Sequence, residues 1–525
     1  MGGVSRLRSL ALTGLVLGVA WAGGRLLQEA VGRRDETVRD GARLLDEVME
    51  RVRTMYVEPV EEERLWELAT RGLLDQLGDP NTAYLTPERR AALERTASNS
   101  YPGVGLQVDA REGWIVVVQA RPGTPAEQAG LVAGDRLVSV DGRPMRGWTV
   151  AEAREALRGP AGTALTLEVE PPGGARRTVR LARAEIHVNS IARATLLDGG
   201  VGYVVVTTFG DSTEVELVRA VDSLRTAGAR ALLLDLRGNP GGLLAQGVGV
   251  ADLFLDAGAR VVTTAGRTAA VRTTYVDSTA ARWTGMPVSV LVNGLTASAA
   301  EIVAGALQDN DRALIVGRPT YGKGSAQAIY KLDNGAALSL TNARWYTPLG
   351  RSIEYPAATD DEAASETPVD TARPRLRTPA GRTVLGGGGI VPDVVVGDSL
   401  AELAAREFTA SLGRDLGVWR SLVQDLAEDL VREGAVRDTL FQVAPPWRAR
   451  LAVVMRRRGL VVAPETFAAA SAVVDRVLAS EIARTAFGAP YAQRQSLRTD
   501  VAIQRAAGVL RRAVTARDVF APGAP

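Results

Sequence analysis

The chain is short of the residues on which many hydrolases and metalloproteins rely. It has no cysteine and one histidine in 525 residues, and two of its 62 basic residues are lysines, Lys323 and Lys331. The missing cysteines exclude disulfides, thiolate catalysis, thiolate–metal sites and a lipid-modified N-terminal cysteine. A single histidine excludes a metal site built on several histidines, and His187, within I-H-V, is predicted to be a strand residue rather than a catalyst.

The charges of the chain nearly cancel. Sixty-two basic residues stand against 60 acidic ones, which gives a net charge of +2. This balance provides no general attraction to nucleic acid, so a nucleic-acid partner is not expected. The hydrophobic fraction of 46% is sufficient for a buried core, and the length predicts roughly three or four domains.

The first residues have the pattern of an export signal. Arg6 and Arg8 precede an apolar run that ends in A-W-A at 20–22. This order predicts a signal peptide within residues 1–30, cleaved after Ala22. The run is short for a spanning helix, which needs about 20 residues, but an uncleaved membrane anchor and a buried N-terminal helix stay open as alternatives. A signal or an anchor places the folded part outside the cytoplasm, in the periplasm or cell envelope.

Changes of pattern divide the rest of the chain into regions. Apolar residues recur at helical spacing in 31–100, short β-rich stretches fill 101–186, and strands alternate with helices over 187–398. Residues 399–525 have the pattern of amphipathic or Ala/Arg-rich helices, for which we expect a packing or assembly role. Within the third region, residues 357–388 are polar and rich in Pro, Gly and Thr, which predicts an exposed loop.

The alternation in 187–398 predicts an α/β core, because apolar strands separated by helices are typical of a sheet covered on both faces. Its predicted strands are Val201–Thr207, Ala231–Leu236, Pro287–Val292, Ala313–Val316, Gln327–Lys331 and Ala336–Asn342, and its predicted helices are Thr213–Ala227, Leu243–Phe254 and Ser298–Gln308. In 101–186 the predicted strands are Gly105–Val108, Trp114–Gln119, Arg136–Val140 and Thr163–Val169, with a helix over Thr149–Leu157.

Ser298 lies where a predicted buried strand gives way to a predicted helix, within T-A-S-A-A-E-I at 296–302. A serine on such a turn presents its hydroxyl beside the free N–H groups of the helix start. The simpler interpretation is a helix-capping box, since Ser298 and Glu301 have the S-x-x-E spacing. For this segment alone, the capping box is the better interpretation.

Lys323 lies in the loop T-Y-G-K-G at 320–324 and, unlike arginine, can lose its proton near neutral pH. To act as a base, its pKa has to fall from about 10.4 to near 7–8 through burial, at a cost of about 4 kcal/mol. A fold accepts such a cost mainly at a functional site. A phosphate-binding lysine is the alternative, but the full G-x-x-x-x-G-K-[ST] pattern is absent. Lys331 precedes a hairpin turn and is predicted to be a solvated charge at a strand end.

A third segment, D-L-R-G-N-P-G-G at 235–242, follows a predicted buried strand. Its glycines let the backbone approach a substrate closely, so that N–H groups can hold a developing oxyanion. Taken alone, the stretch fits an ordinary glycine-rich connection between a strand and a helix better.

Together, the three segments resemble those of the C-terminal processing peptidases, also called tail-specific proteases. The matches are D-L-R-x-N-P-G-G, T-A-S-A-A-E-I, and Y-G-K-G with Gln327 four residues after Lys323, at a fitting interval from the serine to the lysine. The resemblance extends over roughly residues 40–398. It implies a ClpP/crotonase-like serine protease core of the α/β class. The sequence pattern adds an N-terminal helical region before this core and a C-terminal helical extension after it, and the extension departs from the shorter family members.

The resemblance also implies a role for each matched residue. Ser298 is expected to be the nucleophile and Lys323 its general base, with Gln327 orienting the lysine. The acidic residues Glu301 and Asp309 are expected to support the site rather than react. An oxyanion hole is expected from the backbone N–H of Ala299 and one N–H from a glycine, either Gly241 or Gly242.

Residues 101–186 resemble a PDZ domain. Y-P-G-V-G-L at 101–106 is similar to its carboxylate-binding loop, and P-A-E-Q-A-G-L at 125–131 and G-D-R-L at 134–137 are similar to other recurrent segments. Backbone N–H groups of a glycine loop can capture a terminal carboxylate while the peptide adds as a strand. A generic small β module is the alternative. The residues expected to bind peptide are Gly103, Val104, Gly105, Leu106 and Arg158, the last at a position that couples the PDZ domain to the active site in some relatives.

The sequence therefore predicts an exported serine endopeptidase with a Ser–Lys dyad, which recognises protein or peptide substrates at their C-termini. No metal or cofactor is expected. Membrane association through the N-terminus and homo-oligomerisation stay open. The alternatives are a non-catalytic peptide-binding scaffold, against which the intact Ser298, Lys323 and Gln327 argue, and an acyl-CoA-processing crotonase relative, which explains neither the export signal nor the PDZ-like module.

Overall fold

The computed structural model describes residues 39–111, 113–268, 271–354, 373–397 and 399–521. The predicted signal peptide or anchor and the first half of the predicted loop at 357–388 lie outside these residues. The described residues form two compact units, one made of those up to Thr86 together with Ala328–Leu340, the other made of the rest. In the described part of the chain, every helix is too short or too polar to cross a bilayer.

The first unit begins with helices α1 (39–55) and α2 (Glu62–Asp75), followed by the short strand β1 (Ala83–Leu85). Strand β1 pairs antiparallel with residues 337–339. Leu65 and Leu74 of α2 are buried, but Leu44, Leu45 and Val48 of α1 are exposed. Helical spacing therefore predicts these helices, but it does not reveal that much of their apolar face lies open.

The second unit begins with helix α3 (Pro87–Ala97) and continues into a small β module. Its elements are β2 (Ser100–Gly103), β3 (Leu106–Arg111), β4 (Trp114–Ala120), α4 (Pro125–Gln128), β5 (Arg136–Val140), β6 (Arg143–Pro144), α5 (Val150–Leu157), β7 (Ala164–Glu170), β8 (Arg177–Ala182) and β9 (Ala184–His187). The sheet has the order β3-β4-β5-β7-β8. Alternate residues of β7 face the core, as the period of a strand requires.

Strands β2 and β9 stand apart from that sheet and pair only with each other among the described strands. They are antiparallel, with Ser100 opposite His187 and Gly103 opposite Ala184. Because β2 leads into the module and β9 leads out of it, this two-stranded ribbon is the place where the chain crosses twice between the module and the core. His187 is a strand residue, as its sequence context predicts.

The core contains the following strands and helices, in chain order. They are β10 (Ile191–Leu197), β11 (Val201–Val206), α6 (Thr213–Thr226), β12 (Ala231–Asp235), α7 (Leu244–Asp252), β13 (Arg260–Gly266), β14 (Thr273–Val276), β15 (Val288–Val292), α8 (Ala299–Asp309), β16 (Leu314–Gly317), β17 (Ser325–Lys331), β18 (Ala337–Tyr346), β19 (Arg375–Arg377), β20 (Thr383–Leu385) and β21 (Val394–Val395).

The central sheet has the strand order β10-β11-β12-β15-β16-β21. The pairs from β11 to β21 are parallel, and β10 joins the edge antiparallel. Every residue of β12 and β15 is buried, which explains why these strands are continuous apolar runs rather than alternating ones. The sequence analysis missed β13 and β14, whose pairing is antiparallel and whose residues are partly exposed.

The C-terminal part of the described chain is helical. Its helices are α9 (Ser399–Leu412), α10 (Leu416–Arg432), α11 (Pro445–Arg457), α12 (Pro464–Ala469), α13 (Ser471–Phe487), α14 (Ala489–Thr499) and α15 (Val501–Arg512). Helices α9 to α13 share a hydrophobic core of their own. Helix α15 instead packs on the central sheet, where Ile503, Val509 and Leu510 meet Tyr203 and Leu233. The predicted boundary at 398/399 therefore separates segments that share one hydrophobic core.

Asp252, at the end of α7, provides a test of electrostatics in the core. Burial raises its pKa to about 6, and the charges of Asp277 and Glu214 add to this effect. Because the folded pKa is higher than the unfolded one, the ionised carboxylate opposes folding. The contribution of Asp252 to stability is thus most favourable below about pH 4 and is lost as the pH rises through about 6.

We expect Asp252→Asn to raise the free energy of unfolding at pH 8 by about 1–2 kcal/mol, a modest gain because the side chain is only partly buried and is screened by solvent. At pH 4 the carboxyl group is protonated in the folded protein, so the variant should have almost no effect. Urea unfolding at both pH values measures this. The exposed Asp198→Asn is the control and should give the same small change at both. An equal effect of Asp252→Asn at both pH values would contradict the electrostatic explanation.

Candidate active site

Ser298 occupies an unusual backbone conformation between β15 and α8. Its φ is +54° and its ψ is −118°, where a residue with a side chain is strained by about 1–3 kcal/mol. A capping serine normally has extended backbone angles. Ser298 and Glu301 have the arrangement of a capping box, in which the Glu301 carboxylate accepts the backbone N–H of Ser298 at 2.8 Å. The N–H of Glu301 also donates to the carbonyl oxygen of Ser298, at 2.8 Å.

The carboxylate of Glu301 joins the serine turn to the lysine loop. Its Oε2 accepts the backbone N–H of Ser298 at 2.8 Å and that of Lys323 at 2.9 Å. Its Oε1 accepts the backbone N–H of Gly322 at 2.7 Å and the hydroxyl of Thr320 at 2.5 Å. Burial raises the pKa of Glu301, and these four hydrogen bonds act in the opposite direction. A single oxygen atom therefore holds the backbones of Ser298 and Lys323 next to each other.

The segment at 235–242 is fastened to the serine turn by hydrogen bonds. The N–H of Ala297 donates to the carbonyl oxygen of Asn239 at 2.9 Å. The hydroxyl of Thr296 donates to the carbonyl oxygen of Leu236 at 2.8 Å. These contacts bring the glycines of 235–242 against the start of α8.

Gly241 has no room for a side chain. A Cβ there would lie 2.7 Å from the Ser298 Cβ and 2.9 Å from the Ala299 backbone nitrogen, and its φ is +93°. The N–H of Gly241 donates to Oδ1 of the buried Asn239 at 2.8 Å, and Asn239 Nδ2 donates to the carbonyl oxygen of Val206 at 2.9 Å. The N–H of Gly241 is therefore engaged within the protein.

The N–H groups of Gly242 and Ala299 are better placed to act as donors. Gly242 forms a parallel bridge with Phe209 that uses the carbonyl of Gly241 and the N–H of Leu243, so the N–H of Gly242 points away from Phe209. Ala299 is the first residue of α8, where N–H groups have no acceptor within the helix. Of the two predicted glycines, Gly242 is thus the better candidate for the oxyanion hole.

The lysine loop is held from the side opposite Glu301 by Trp345, which is 2% exposed. The indole N–H of Trp345 donates to the carbonyl oxygen of Lys323 at 3.0 Å, and its backbone N–H donates to that of Gly324 at 2.8 Å. The side chains of Ser298 and Lys323 are both half-buried. The loop is fixed on both sides of the lysine, so its side chain starts from a rigid backbone.

Gln327 is held by hydroxyl groups on two strands. Its Nε2 donates to the hydroxyl of Ser325 at 3.0 Å and to that of Thr341 at 3.1 Å. Both amide hydrogens then have acceptors, which fixes the plane of the amide and leaves its oxygen as the acceptor suited to an ammonium group. The predicted role of Gln327 in orienting Lys323 stays a prediction.

Asp309 lies at the opposite end of α8 from the serine, about 15 Å along the helix axis. It forms a fully buried ion pair with Arg351 and accepts the backbone N–H of Leu349 at 3.0 Å. Any support it gives to the site acts through the packing of α8.

Sequence reasoning missed three residues that hold the site together. They are Asn239, Thr320 and Trp345. Each side chain donates a hydrogen bond to a residue 19 to 33 positions away in the sequence, and the N-P-G-G context of Asn239 was the one local signal available.

The predicted peptide-binding loop lies at the start of β3. Gly105 has a φ of +83°, and a Cβ there would lie 2.4 Å from the side chain of Thr124. Val104 is buried, and its carbonyl oxygen accepts the N–H of Ala126 at 3.0 Å. Arg158 follows α5 with an exposed side chain. The peptide contacts of Gly103–Leu106 and Arg158 stay predictions.

The hydrogen bonds of Glu301 lead to a test of stability. In Glu301→Gln an NH₂ group faces some of the buried donors, so we expect the free energy of unfolding to fall by about 2–4 kcal/mol. Glu152→Gln is the matched control, since Glu152 is the exposed glutamate of a capping box with Thr149. Its effect should stay below about 1 kcal/mol in urea unfolding. Equal losses in the two variants would contradict the central role of Glu301.

Comparisons with known proteins show which family the chain resembles. The model of peptidase family S41 matches residues 200–364, and that of the PDZ domain matches residues 116–171. The carboxy-terminal processing protease CtpA of Bacillus subtilis is 33% identical over 309 residues, which cover 59% of this chain and 66% of that protein. The carboxy-terminal-processing protease of Bartonella bacilliformis is 37% identical over 320 residues, which cover 60% of this chain and 73% of that protein.

Among solved structures, the photosystem II D1 C-terminal processing protease is 32% identical, with a TM-score of 0.36 over 67% of this chain and 86% of that chain. Both sequence relatives are named as carboxy-terminal processing proteases, and one of the two family models is that of a peptidase family. The chain has a mixed α/β fold with an S41 peptidase domain and a PDZ domain. It belongs to the C-terminal processing protease family of the S41 serine peptidases.

Proposed function

We propose that this chain is an exported serine endopeptidase that uses a dyad of Ser298 and Lys323 in C-terminal processing or tail-specific degradation of polypeptides. The observation that carries the proposal is the shared oxygen of Glu301, which accepts the backbone N–H of both residues. A plain helix cap needs neither this link nor the positive φ of Ser298. Membership of the family supports the same assignment.

In the proposed reaction, the Ser298 hydroxyl attacks the scissile carbonyl carbon, and the neutral amine of Lys323 takes its proton. The carbonyl oxygen becomes an oxyanion that accepts hydrogen bonds from the N–H groups of Ala299 and Gly242. When the C–N bond breaks, the leaving amine takes the proton back from Lys323. Water, deprotonated by the same lysine, then hydrolyses the ester on Ser298 and releases the second product.

A ClpP/crotonase-like fold of the core is part of the proposal. Its support is the parallel order β11-β12-β15-β16, with the serine at the turn from β15 into α8. In such a sheet the carboxyl ends of neighbouring strands lie at one edge, so the turns after β12 and β15 can meet in one site.

The PDZ domain is proposed to bind the free C-terminus of the substrate. The conformation of Gly105 and its close approach to Thr124 support a preformed glycine loop in front of β3. A terminal carboxylate accepts hydrogen bonds from such a loop while the peptide pairs with a strand edge. Export is supported by the basic and apolar pattern before A-W-A at 20–22.

The two lysines of the chain provide a matched test of the dyad. Lys323→Arg keeps the charge but cannot supply a neutral base, so we expect cleavage of an unfolded protein with an apolar C-terminus to fall by about 10³-fold or more, as in Ser298→Ala. Lys331→Arg, at the exposed end of β17, should keep full activity. Full activity of Lys323→Arg would refute the base assignment. Binding without cleavage by the wild type would favour the non-catalytic scaffold.

Recognition of the C-terminus is tested with a pair of substrates, one ending in a free carboxylate and one in an amide. We expect the amide to raise KM about tenfold or more in the wild type, because a charge-assisted contact is lost. Gly105→Ala should remove this difference. Gly113→Ala is the matched control, since Gly113 also has a positive φ but a Cβ there meets nothing within 4 Å. An unchanged preference in Gly105→Ala would contradict the assignment of the loop.

A further inference from the structure

Asn99 lies at the end of the ribbon formed by β2 and β9, just before β2 begins. We call this end, made of residues 97–99 and 188–190, the foot of the ribbon. The φ of Asn99 is +48°, a conformation that asparagine tolerates better than most residues. Its carbonyl oxygen accepts the N–H of Val188 at 2.6 Å, so it links the two places where the chain crosses between the PDZ domain and the core. Asn99 as a whole is 7% exposed, and its Nδ2 donates to the hydroxyl of Ser190 at 2.6 Å.

The residues Thr207–Asp211, which we call the connector, follow β11 and contact this foot at three points. The N–H of Thr207 donates to the carbonyl oxygen of Ser190 at 2.9 Å, and the N–H of Asp211 donates to that of Ala97 at 3.1 Å. Between them, a Cβ on Gly210 would lie 2.2 Å from the Asn99 Cγ. The Asn99 side chain is therefore packed directly on the connector backbone.

The connector is also joined to the candidate oxyanion loop. The N–H of Phe209 donates to the carbonyl oxygen of Gly241 at 2.9 Å, and the N–H of Leu243 donates to that of Phe209 at 2.7 Å. A Cβ on Gly242 would lie 2.2 Å from the Phe209 carbonyl oxygen. Since the contacts are between backbones, a displacement of the connector is passed directly to Gly241 and Gly242.

A polar network, buried except at His187, holds the foot of the ribbon. Glu216 Oε2 accepts the N–H of Ser190 at 2.6 Å, and Glu216 Oε1 lies 2.5 Å from His187 Nε2. The Ser190 hydroxyl also shares a hydrogen bond with the Thr213 hydroxyl at 2.6 Å. Buried networks whose members are satisfied favour one arrangement over others. The foot thus holds Asn99 against the connector in a defined position.

We propose that Asn99 is a positioning residue for the oxyanion hole, acting through the connector on the backbone of Gly242. The inference rests on the proposed function, because it presumes that Gly242 binds the oxyanion. Asn99 contacts the ribbon and Gly210 rather than the serine. Its position at the crossing point makes the attachment of the PDZ domain part of the geometry that stabilises the oxyanion. A small misplacement of such a donor is costly to the rate.

Asn99→Gly tests this proposal, because glycine keeps the positive φ and removes the side chain. With a short, C-terminally amidated peptide, we expect kcat to fall about 10- to 100-fold with KM changed less than about twofold. The rate at which a fluorophosphonate labels Ser298, with loss of fluoride, should fall by a similar factor. The labelled fraction at the end should stay complete, since a folding defect lowers that fraction and a misplaced oxyanion hole lowers the rate.

Two further variants make the test specific to the contact. Ser100→Ala changes the neighbouring residue, whose hydroxyl bonds to Glu185 and Ser98 and not to the connector, so both rates should stay at the wild-type value. Gly210→Ala should lower the labelling rate in the wild type. In the Asn99→Gly background, Gly210→Ala should lower the labelling rate no more than about twofold, because its methyl group then occupies the space left by the Asn99 side chain.

The outcomes separate this proposal from the proposed function. Labelling of Asn99→Gly at the wild-type rate, or a loss confined to the labelled fraction, overturns the role of Asn99 while the protease assignment stands. A wild-type protein that neither cleaves peptides nor reacts at Ser298 overturns the proposed function, and this inference with it. A rate that falls in Asn99→Gly and is insensitive to added Gly210→Ala supports the connector.

Discussion

The candidate site depends on one buried carboxylate that accepts three of its four hydrogen bonds from backbone N–H groups. An ionised group in the interior is costly unless its oxygens are fully used, and Glu301 uses both. Because its donors come from the serine turn and from the lysine loop, neither segment can move away without leaving buried N–H groups or a buried charge unsatisfied. The carboxylate thus holds the serine turn and the lysine loop, which are separated in sequence, in a fixed position relative to each other.

The rest of the site follows from that constraint. With Ser298 held at a positive φ, the start of α8 faces the segment at 235–242, and only glycine fits at position 241. The strained backbone of Ser298 is held in place by the neighbouring strands β12 and β15, whose residues are all buried. The geometry of the candidate site is therefore set by backbone, and side chains such as those of Asn239 and Trp345 hold that backbone in place.

Sequence reasoning recovered the parts of the structure that have local signals. Continuous apolar runs located β11, β12 and β15, and the turns after β12 and β15 drew attention to the glycines and the serine. Lys323 was singled out because it is one of two lysines and lies in a glycine-bracketed loop. It could not place Asp309, because helical spacing gives no information on which end of a helix faces a site. It also missed that α15 covers the central sheet, since its apolar stripe is equally consistent with a bundle of helices. The exposed apolar face of α1 shows the same ambiguity, because an amphipathic pattern does not reveal which segment, if any, packs against the helix.

The docking of α15 has a consequence for how the protein is made. Arg237, in the glycine segment, pairs with Asp500 across 263 residues of sequence, and Arg230 bonds to the carbonyl oxygen of Arg511 across 281. During translation the sheet surface that carries Tyr203 and Leu233 stays open until these late residues have left the ribosome. Contacts with such long loops form slowly, so completion of the peptidase domain comes late in biogenesis. A nascent chain of this kind remains without a finished sheet for most of its synthesis, which separates the making of the polypeptide from the onset of any activity it carries.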